Sequence, residues 1–361
     1  MRSRNILAAT LVAMVVTASA VVAQQSISLK GGVWADKGRA PFEMTLTRSG
    51  DTISGSYYYL RSGSANKLTL KGKVGADGTL TMQEYDSTGK QTGEFKGKWH
   101  DDADDAGVSL EGDWTKTGAT DSKGFFADQQ MVFFAGAGKF STLSMKESIK
   151  LKRTEMSAEY PQLTGVPNAA GFNVLAKARV DREFAAFRKL MMGFTAADIK
   201  SEPADMGNYL DIGYSVEYAD DSLVSISYST DEFTGGAHGN QGFFTLTYDL
   251  KTGKEVRLAD LFKPGAAYLK TIASYAAKDL QARKDPDSGE NMGLATDIFA
   301  DGVKPTADNF QFWAMTKKGL LVLFPPYQVA AYAYGPQQVI VPYSALKGIV
   351  RADGPAAKMS H

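Results

Sequence analysis

His238 sits in a glycine-dense turn, Phe233-Thr234-Gly235-Gly236-Ala237-His238-Gly239-Asn240, and is the only histidine between His100 and His361. An imidazole in such a turn has two uses. It can serve as a contact or switch in a recognition loop, or it can hydrogen-bond a neighbouring carbonyl and fix the turn. The glycines let the backbone take positive φ and let a ligand or another segment come close, and Asn240 is expected to tolerate the same left-handed geometry. Thr234, Gly235, Gly236, His238 and Asn240 are therefore candidate binding residues.

A second stretch, Tyr327-Gln328-Val329-Ala330-Ala331-Tyr332-Ala333-Tyr334-Gly335, follows the stop Pro325-Pro326 and sets three tyrosines among small residues. Rings displayed this way suit protein or glycan recognition, where one anchor contributes roughly 2 kcal/mol. Tyr327, Tyr332 and Tyr334 join the candidate list. The alternative is that Tyr327 and Tyr332 pack inward and cap a sheet.

Groups for catalysis are sparse. His100, His238 and His361 are far apart, and the chain has no His-Glu-x-x-His, no Gly-x-Ser-x-Gly elbow, no Walker loop and no cysteine. These gaps remove the signatures of zinc hydrolases, serine hydrolases and P-loop enzymes, together with thiol and iron–sulfur chemistry. The run Asp101-Asp102-Ala103-Asp104-Asp105 lacks the spacing of a calcium loop and reads as solvated. No cofactor or metal is expected. A carboxylate pair for glycoside cleavage has no sequence signature, so that reading stays open.

The elements that must hold these loops follow from periodicity. From about Ser26 to Val132 the chain alternates, with Phe42, Met44 and Leu46, then Leu68 and Leu70, Leu80 and Met82, Phe95 and Trp99, and Leu110 on one side. Turn signals at Gly50-Asp51, Asp77-Gly78 and Thr88-Gly89 divide the run into short antiparallel strands of a barrel or sandwich. Tyr57-Tyr58-Tyr59 reads either as an aromatic platform for sugars or, by the alternation, as two rings filling the interior with the middle one outside. A helix is predicted from about Asn168 to Met192 and another over Pro264–Ala282, with Pro264 in its first turn. Strands are predicted at Asn208–Ala219, Leu223–Phe233, Phe243–Asp249, Leu320–Phe324 and Val339–Val341. The fold class is thus α+β: an all-β domain over 24–135, an α+β module with an antiparallel sheet and two main helices over 136–350, and a flexible tail over 351–361.

Arg2 and Arg4 precede an apolar run ending in small residues, which predicts a cleaved signal peptide over 1–23 and a periplasmic or secreted location. An uncleaved N-terminal anchor is the competing reading. The formal charge is zero, with 40 basic and 40 acidic residues and no basic cluster interleaved with aromatics. Nucleic acid is therefore not an expected partner.

Six motifs also occur in a familiar order: Tyr160-Pro161-Gln162-Leu163, Asn173, Gly235–Asn240, Tyr248-Asp249-Leu250-Lys251-Thr252-Gly253, Leu258–Phe262, and Tyr327–Gly335 with Ile340-Val341-Pro342-Tyr343. Over roughly Phe140–Val350 the chain resembles the extracytoplasmic module of the lysozyme-sensing anti-sigma factors, which is also found beside peptidoglycan deacetylase domains. The resembled family usually has proline where this chain has Ala331. With only Met1–Asn5 ahead of the apolar run and a short tail after Val350, neither a sigma-binding region nor a deacetylase domain is expected. The resemblance implies a non-catalytic cell-envelope binding protein that recognises or inhibits a lysozyme-like muramidase. The alternatives are an adaptor that binds peptidoglycan fragments and an envelope carbohydrate hydrolase.

Overall fold

Strict alternation of apolar and polar residues leaves each N-terminal strand one dry face, and eight such strands close on themselves to bury it. The computed structural model describes residues 25–35, 38–101, 107–195, 197–198, 207–285 and 288–359. The expected signal peptide and Asp102–Asp105 of the acidic run lie outside these residues.

The barrel runs in sequence order: β1 (Gln25–Ala35), β2 (Gly38–Ser49), β3 (Thr52–Tyr59), β4 (Leu68–Val74), β5 (Thr79–Tyr85), β6 (Gln91–Asp101), β7 (Val108–Lys116) and β8 (Ser122–Gln129), with β8 closing on β1. Closure leaves no free edge. Phe42, Met44, Leu46, Tyr57, Met82, Phe95 and Leu110 fill the interior at 1% exposure or less. Glu84 is buried among them, and it is tolerated because Tyr57, Thr92 and the Trp114 indole all donate to its carboxylate. The three tyrosines divide as the alternation predicts. Tyr57 and Tyr59 pack edge to face within the barrel, while Tyr58 points outward and donates to Glu43.

The second sheet has six strands in the order β14-β13-β12-β11-β10-β9. They are β9 (Lys139–Ile149), β10 (Thr154–Thr164), β11 (Asn208–Asp220), β12 (Leu223–Phe233), β13 (Asn240–Asp249) and β14 (Lys254–Glu255). All pairings are antiparallel except β10 with β11. The long helix Ala169–Gly193 lays Phe172, Ala176, Val180, Phe184, Phe187 and Met191 on one face of this sheet. Asn173 docks it, accepting from the Leu163 N–H at 2.7 Å and donating to the Leu163 carbonyl at 2.9 Å. Asn168 donates to the Leu250 carbonyl at 2.7 Å. The Tyr160–Leu163, Asn173 and Tyr248–Gly253 motifs thus hold helix to sheet.

A three-stranded sheet, β15 (Trp313–Met315), β16 (Gly319–Phe324) and β17 (Gln337–Pro342), completes the module. Its Met315, Leu320 and Val322 pack with Ile272, Ala276 and Leu280 of the second helix, Tyr268–Ala282. Its other face, Ala314, Leu321 and Leu323, meets Phe243 of β13. The second helix begins four residues later than predicted. Lys263–Ala266 forms a turn instead, closed by a 3.0 Å backbone bond, and Gly265 takes φ +77 in it. Of the 351–361 tail, 351–359 is described, and it packs back: Ala356 is buried and the Met359 sulfur lies 3.3 Å from the Tyr343 hydroxyl.

Barrel and module meet along the linker after β8. Met131 and Phe133 exchange backbone hydrogen bonds with Val216 and Ala219 of β11, beyond the point where β10 leaves that strand. The linker therefore continues the sheet and seats the outer face of β1 and β2 against the module.

Candidate functional site

The turn between β12 and β13 and the loop after β16 come together at one end of the module. Stacking of the three-stranded sheet over β12 and β13 sets this approach, because it carries the chain leaving β16 toward the hairpin tip. Gly235 and Gly236 adopt φ +91 and +97, so the sharp reversal depends on glycine. Asn240 does not share that geometry, contrary to expectation. It opens β13 opposite Glu232 and donates to that carboxylate at 3.3 Å, because strand pairing already begins there.

Three of the predicted residues form one cluster. The His238 ring stacks on Tyr332 with centroids 3.7 Å apart, and Tyr327 lies 5.6 Å from Tyr332. The Tyr332 hydroxyl donates to the Gly239 carbonyl at 2.6 Å, and His238 Nδ1 lies 2.8 Å from the same oxygen. A carbonyl can only accept, so Nδ1 carries the hydrogen. His238 therefore braces the turn through this bond, and its ring stands at the exposed surface. Tyr332 is half-buried, whereas Tyr327 is 56% exposed.

Tyr327 also has φ +69, a conformation that a bulky non-glycine residue rarely holds. Strain of this kind persists only where the surroundings over-determine it, and it concentrates at functional positions. Tyr334 is exposed and accepts a hydrogen bond from Gln337 through its carbonyl, and Thr234 is half-buried beside the turn.

Sequence reasoning missed the support beneath the cluster. Tyr209 stacks on Phe233 and donates to Asp231 at 3.4 Å. Burial, then the Asp231 charge, pushes the Tyr209 phenol up to about 12. Burial also holds the Asp231 carboxyl above its usual range, and Asp211, directly opposite it in register, adds to the effect. The arrangement offers flat π faces flanked by a hydroxyl and a ring nitrogen. It suits an apolar face of a sugar ring with polar edges.

A second constellation is a cleft of about 410 Å³ where the barrel, the six-stranded sheet and the three-stranded sheet meet. Asp128 and Glu217 both line it. Burial raises the Glu217 carboxyl, opposed by a hydrogen bond from Ser227 and reinforced by the Asp128 charge. Asp128 reaches solvent, yet crowding by the cleft walls and then the charge of Glu111 raise its carboxyl too. One carboxylate comes from the barrel and one from the module, a pairing invisible in either segment alone. Among the described residues, no group of three or more acidic, histidine or cysteine side chains is arranged to hold a metal.

Comparison with known proteins places the two loops in two matched segments. Residues 148–241 match the family "Deacetylase PdaC", and residues 259–344 match "Protein of unknown function (DUF3298)". The chain carries segments similar to both. The first contains the His238 turn and the second the Tyr327–Gly335 loop, so the bond from Tyr332 to Gly239 joins them. The chain is 25% identical over 228 residues to the peptidoglycan-N-acetylmuramic acid deacetylase PdaC of Bacillus subtilis (strain 168), covering 59% of this chain and 47% of that protein. The chain therefore spans about half the length of the curated relative it matches. Two solved structures are also similar. A DUF3298 family member from Bacteroides fragilis NCTC 9343 is 19% identical with a TM-score of 0.45, covering 62% of this chain and 98% of that one. A DUF3298 family protein from Pseudomonas aeruginosa PAO1 is 17% identical with a TM-score of 0.40, covering 60% and 94%. Among the described residues no helix is long and apolar enough to cross a membrane.

Proposed function

We propose that this protein is an extracytoplasmic binding protein of the cell envelope that recognises peptidoglycan glycan through Tyr327, Tyr332 and His238. The observation that carries this reading is the latch between the two loops. Tyr332 bonds to Gly239 while His238 lies on its ring, which makes a fixed aromatic platform from segments 93 residues apart. A platform held before the ligand arrives loses little conformational entropy on binding. Similarity to a protein named for its action on peptidoglycan supports the choice of ligand. Thr234, Gly235, Gly236 and Asn240 shape the turn, and Tyr334 borders the platform.

The test is calorimetric titration of the protein with soluble peptidoglycan fragments and, separately, with c-type lysozyme while muramidase activity is followed. Fragment binding that is lost in Tyr332→Ala supports the reading. Lysozyme binding with loss of muramidase activity, and no fragment binding, replaces it with the inhibitor expected from the anti-sigma resemblance. Silence with both ligands overturns it.

A second reading rests on the Asp128–Glu217 pair: a hydrolase of envelope carbohydrate. Acid–base cleavage of a glycosidic bond requires one protonated and one ionised carboxyl; Glu217, whose carboxyl burial raises, suits the acid, and the solvent-exposed Asp128 in the same cleft suits the base. Release of reducing ends from peptidoglycan, abolished in both Asp128→Asn and Glu217→Gln, is its expected signature.

A further inference from the structure

The two edges of the six-stranded sheet differ. One is β14, only two residues long, whereas the other is β9, an eleven-residue strand that pairs with β10 alone among the described residues. Natural sheets blunt an exposed edge by keeping it short or by interrupting it with proline or a bulge. β9 does neither. It contains no proline, and its register with β10 runs unbroken from Lys139 opposite Thr164 to Ile149 opposite Thr154.

The partners of β10 show which backbone groups of β9 face outward. Leu163, opposite Phe140, gives its N–H and its carbonyl to the Asn173 side chain, and Pro161, opposite Thr142, has no N–H. These are therefore the non-hydrogen-bonded pairs of the ladder. By the same alternation Ser144, Lys146 and Ser148 join Phe140 and Thr142 in aiming their N–H and carbonyl groups away from β10. Among the described residues no turn, loop or neighbouring element bonds to the backbone of these five. They form a template for one more strand.

A ledge runs beside this template. The long helix crosses over β10, and one of its flanks looks toward β9: Val174 and Asp181 line a cavity of about 410 Å³ with Leu143, and Arg188 bonds Glu147 at 2.6 Å. Met192 lies one turn beyond Arg188 on the same flank. Val174 and Met192, 68% and 61% exposed, thus leave apolar surface open at both ends of the ledge, and Leu143 is exposed on the strand itself. Along β9 the helix side carries Leu143, Met145 and Glu147, and the other side carries Ser144, Lys146 and Ser148.

Charge selects the occupant. Lys139, Lys146 and Lys150 stand exposed along β9 and the turn after it, with no ion pair among the described residues. The neighbouring carboxylates are engaged, Glu147 by Arg188, Asp181 by Lys177 at 2.7 Å, and Glu155, one strand further in, by the Ser148 hydroxyl at 2.8 Å. A second copy of the chain would bring the same lysines against these, so the charge favours an acidic partner.

We propose that β9 receives an extended acidic segment of a partner protein as a seventh strand of this sheet. Alternate side chains of the segment are apolar and lie against Leu143 and Val174, and the intervening ones are acidic and lie near Lys146. Main-chain hydrogen bonds to the edge supply affinity, and the alternating contacts supply specificity. The partner is a polypeptide and the edge is separate from the aromatic platform, so this does not rest on the proposed recognition of glycan.

The experiment titrates the intact protein into a capped, fluorescein-labelled nonapeptide alternating glutamate with valine, read by fluorescence anisotropy. Binding is expected, and is expected to weaken about tenfold or more when alternate peptide nitrogens are methylated or when the protein carries Ser144→Pro. That substitution removes an outward N–H and leaves the pairing with β10 intact, so its urea midpoint should stay close to that of the wild type. Lys146→Glu should weaken the glutamate peptide and strengthen a peptide with lysine in place of glutamate. The proposal is overturned if the glutamate peptide does not bind, if the methylated peptide binds equally well, or if the lysine peptide binds the wild type as tightly. Self-association of the wild type in sedimentation, lost in Ser144→Pro, would also overturn it by assigning the edge to a second copy. Should Ser144→Pro not fold, the methylated peptide decides the same point on the unaltered protein.

Discussion

The Tyr332 hydroxyl donates to the Gly239 carbonyl at 2.6 Å, and that single bond holds together two loops that are remote in sequence. Tyr332→Phe keeps the ring beneath His238 but removes the latch, whereas Tyr332→Ala removes both. Binding of peptidoglycan fragments should weaken modestly in the first and by about tenfold or more in the second. Calorimetry on the two variants checks the order. Equal affinity in wild type and Tyr332→Ala would show that the platform is not the binding surface.

Tyr327 spends conformational energy at φ +69 while its ring is mostly in solvent. Replacing it with glycine relieves roughly 1 kcal/mol of backbone strain, partly offset by the greater freedom of glycine in the unfolded chain. Tyr327→Gly should therefore unfold at an unchanged or slightly higher urea midpoint while losing affinity for glycan. A clear drop in midpoint would mean the ring is structural.

Tyr228 is fully buried, stacked on Phe244 with centroids 4.3 Å apart, and its hydroxyl has no hydrogen-bond partner among the described residues. Removing an unsatisfied buried hydroxyl recovers its desolvation cost. Tyr228→Phe is expected to stabilise the fold by about 1 kcal/mol in denaturant unfolding. Destabilisation of similar size would reveal a partner for that oxygen.

Glu217 has a carboxyl pKa raised by burial. Between its unfolded and folded values the folded state holds more protons, so stability falls as pH rises through that interval and the penalty is complete above it. Glu217→Gln lacks this penalty. Thermal melts should show the variant more stable than wild type at pH 8, with the gap closing near pH 4. A gap independent of pH would assign the effect to packing.

Much of this architecture was legible from residue order. Period-two alternation put Phe42, Met44, Leu46 and Tyr57 inside a barrel and Tyr58 outside it, and the helical spacing of Phe172, Ala176, Val180, Phe184 and Phe187 identified the buried stripe of the long helix. The glycine turn at Gly235-Gly236 was readable too, because backbone freedom is a local property, whereas residue order left open whether Tyr327 is displayed or packed inward. Local rules misplaced Asn240, since its backbone follows the pairing of β13 with β12 rather than its own tolerance of positive φ.

Periodicity says which face of an element is dry, but not which element dries it. Lys30 reads as an ordinary outward-facing residue of a barrel strand, and only the docking of the module turns it into a buried cation over Tyr214. The same limit hid Asp128 from Glu217, which come from separate units and share one cleft. It also hid the contact of His238 with Tyr332. Each loop was visible as a candidate, but their union depends on one sheet stacking over another, and that is set by side-chain volumes at Ala314, Leu321, Leu323 and Phe243 rather than by anything within either loop.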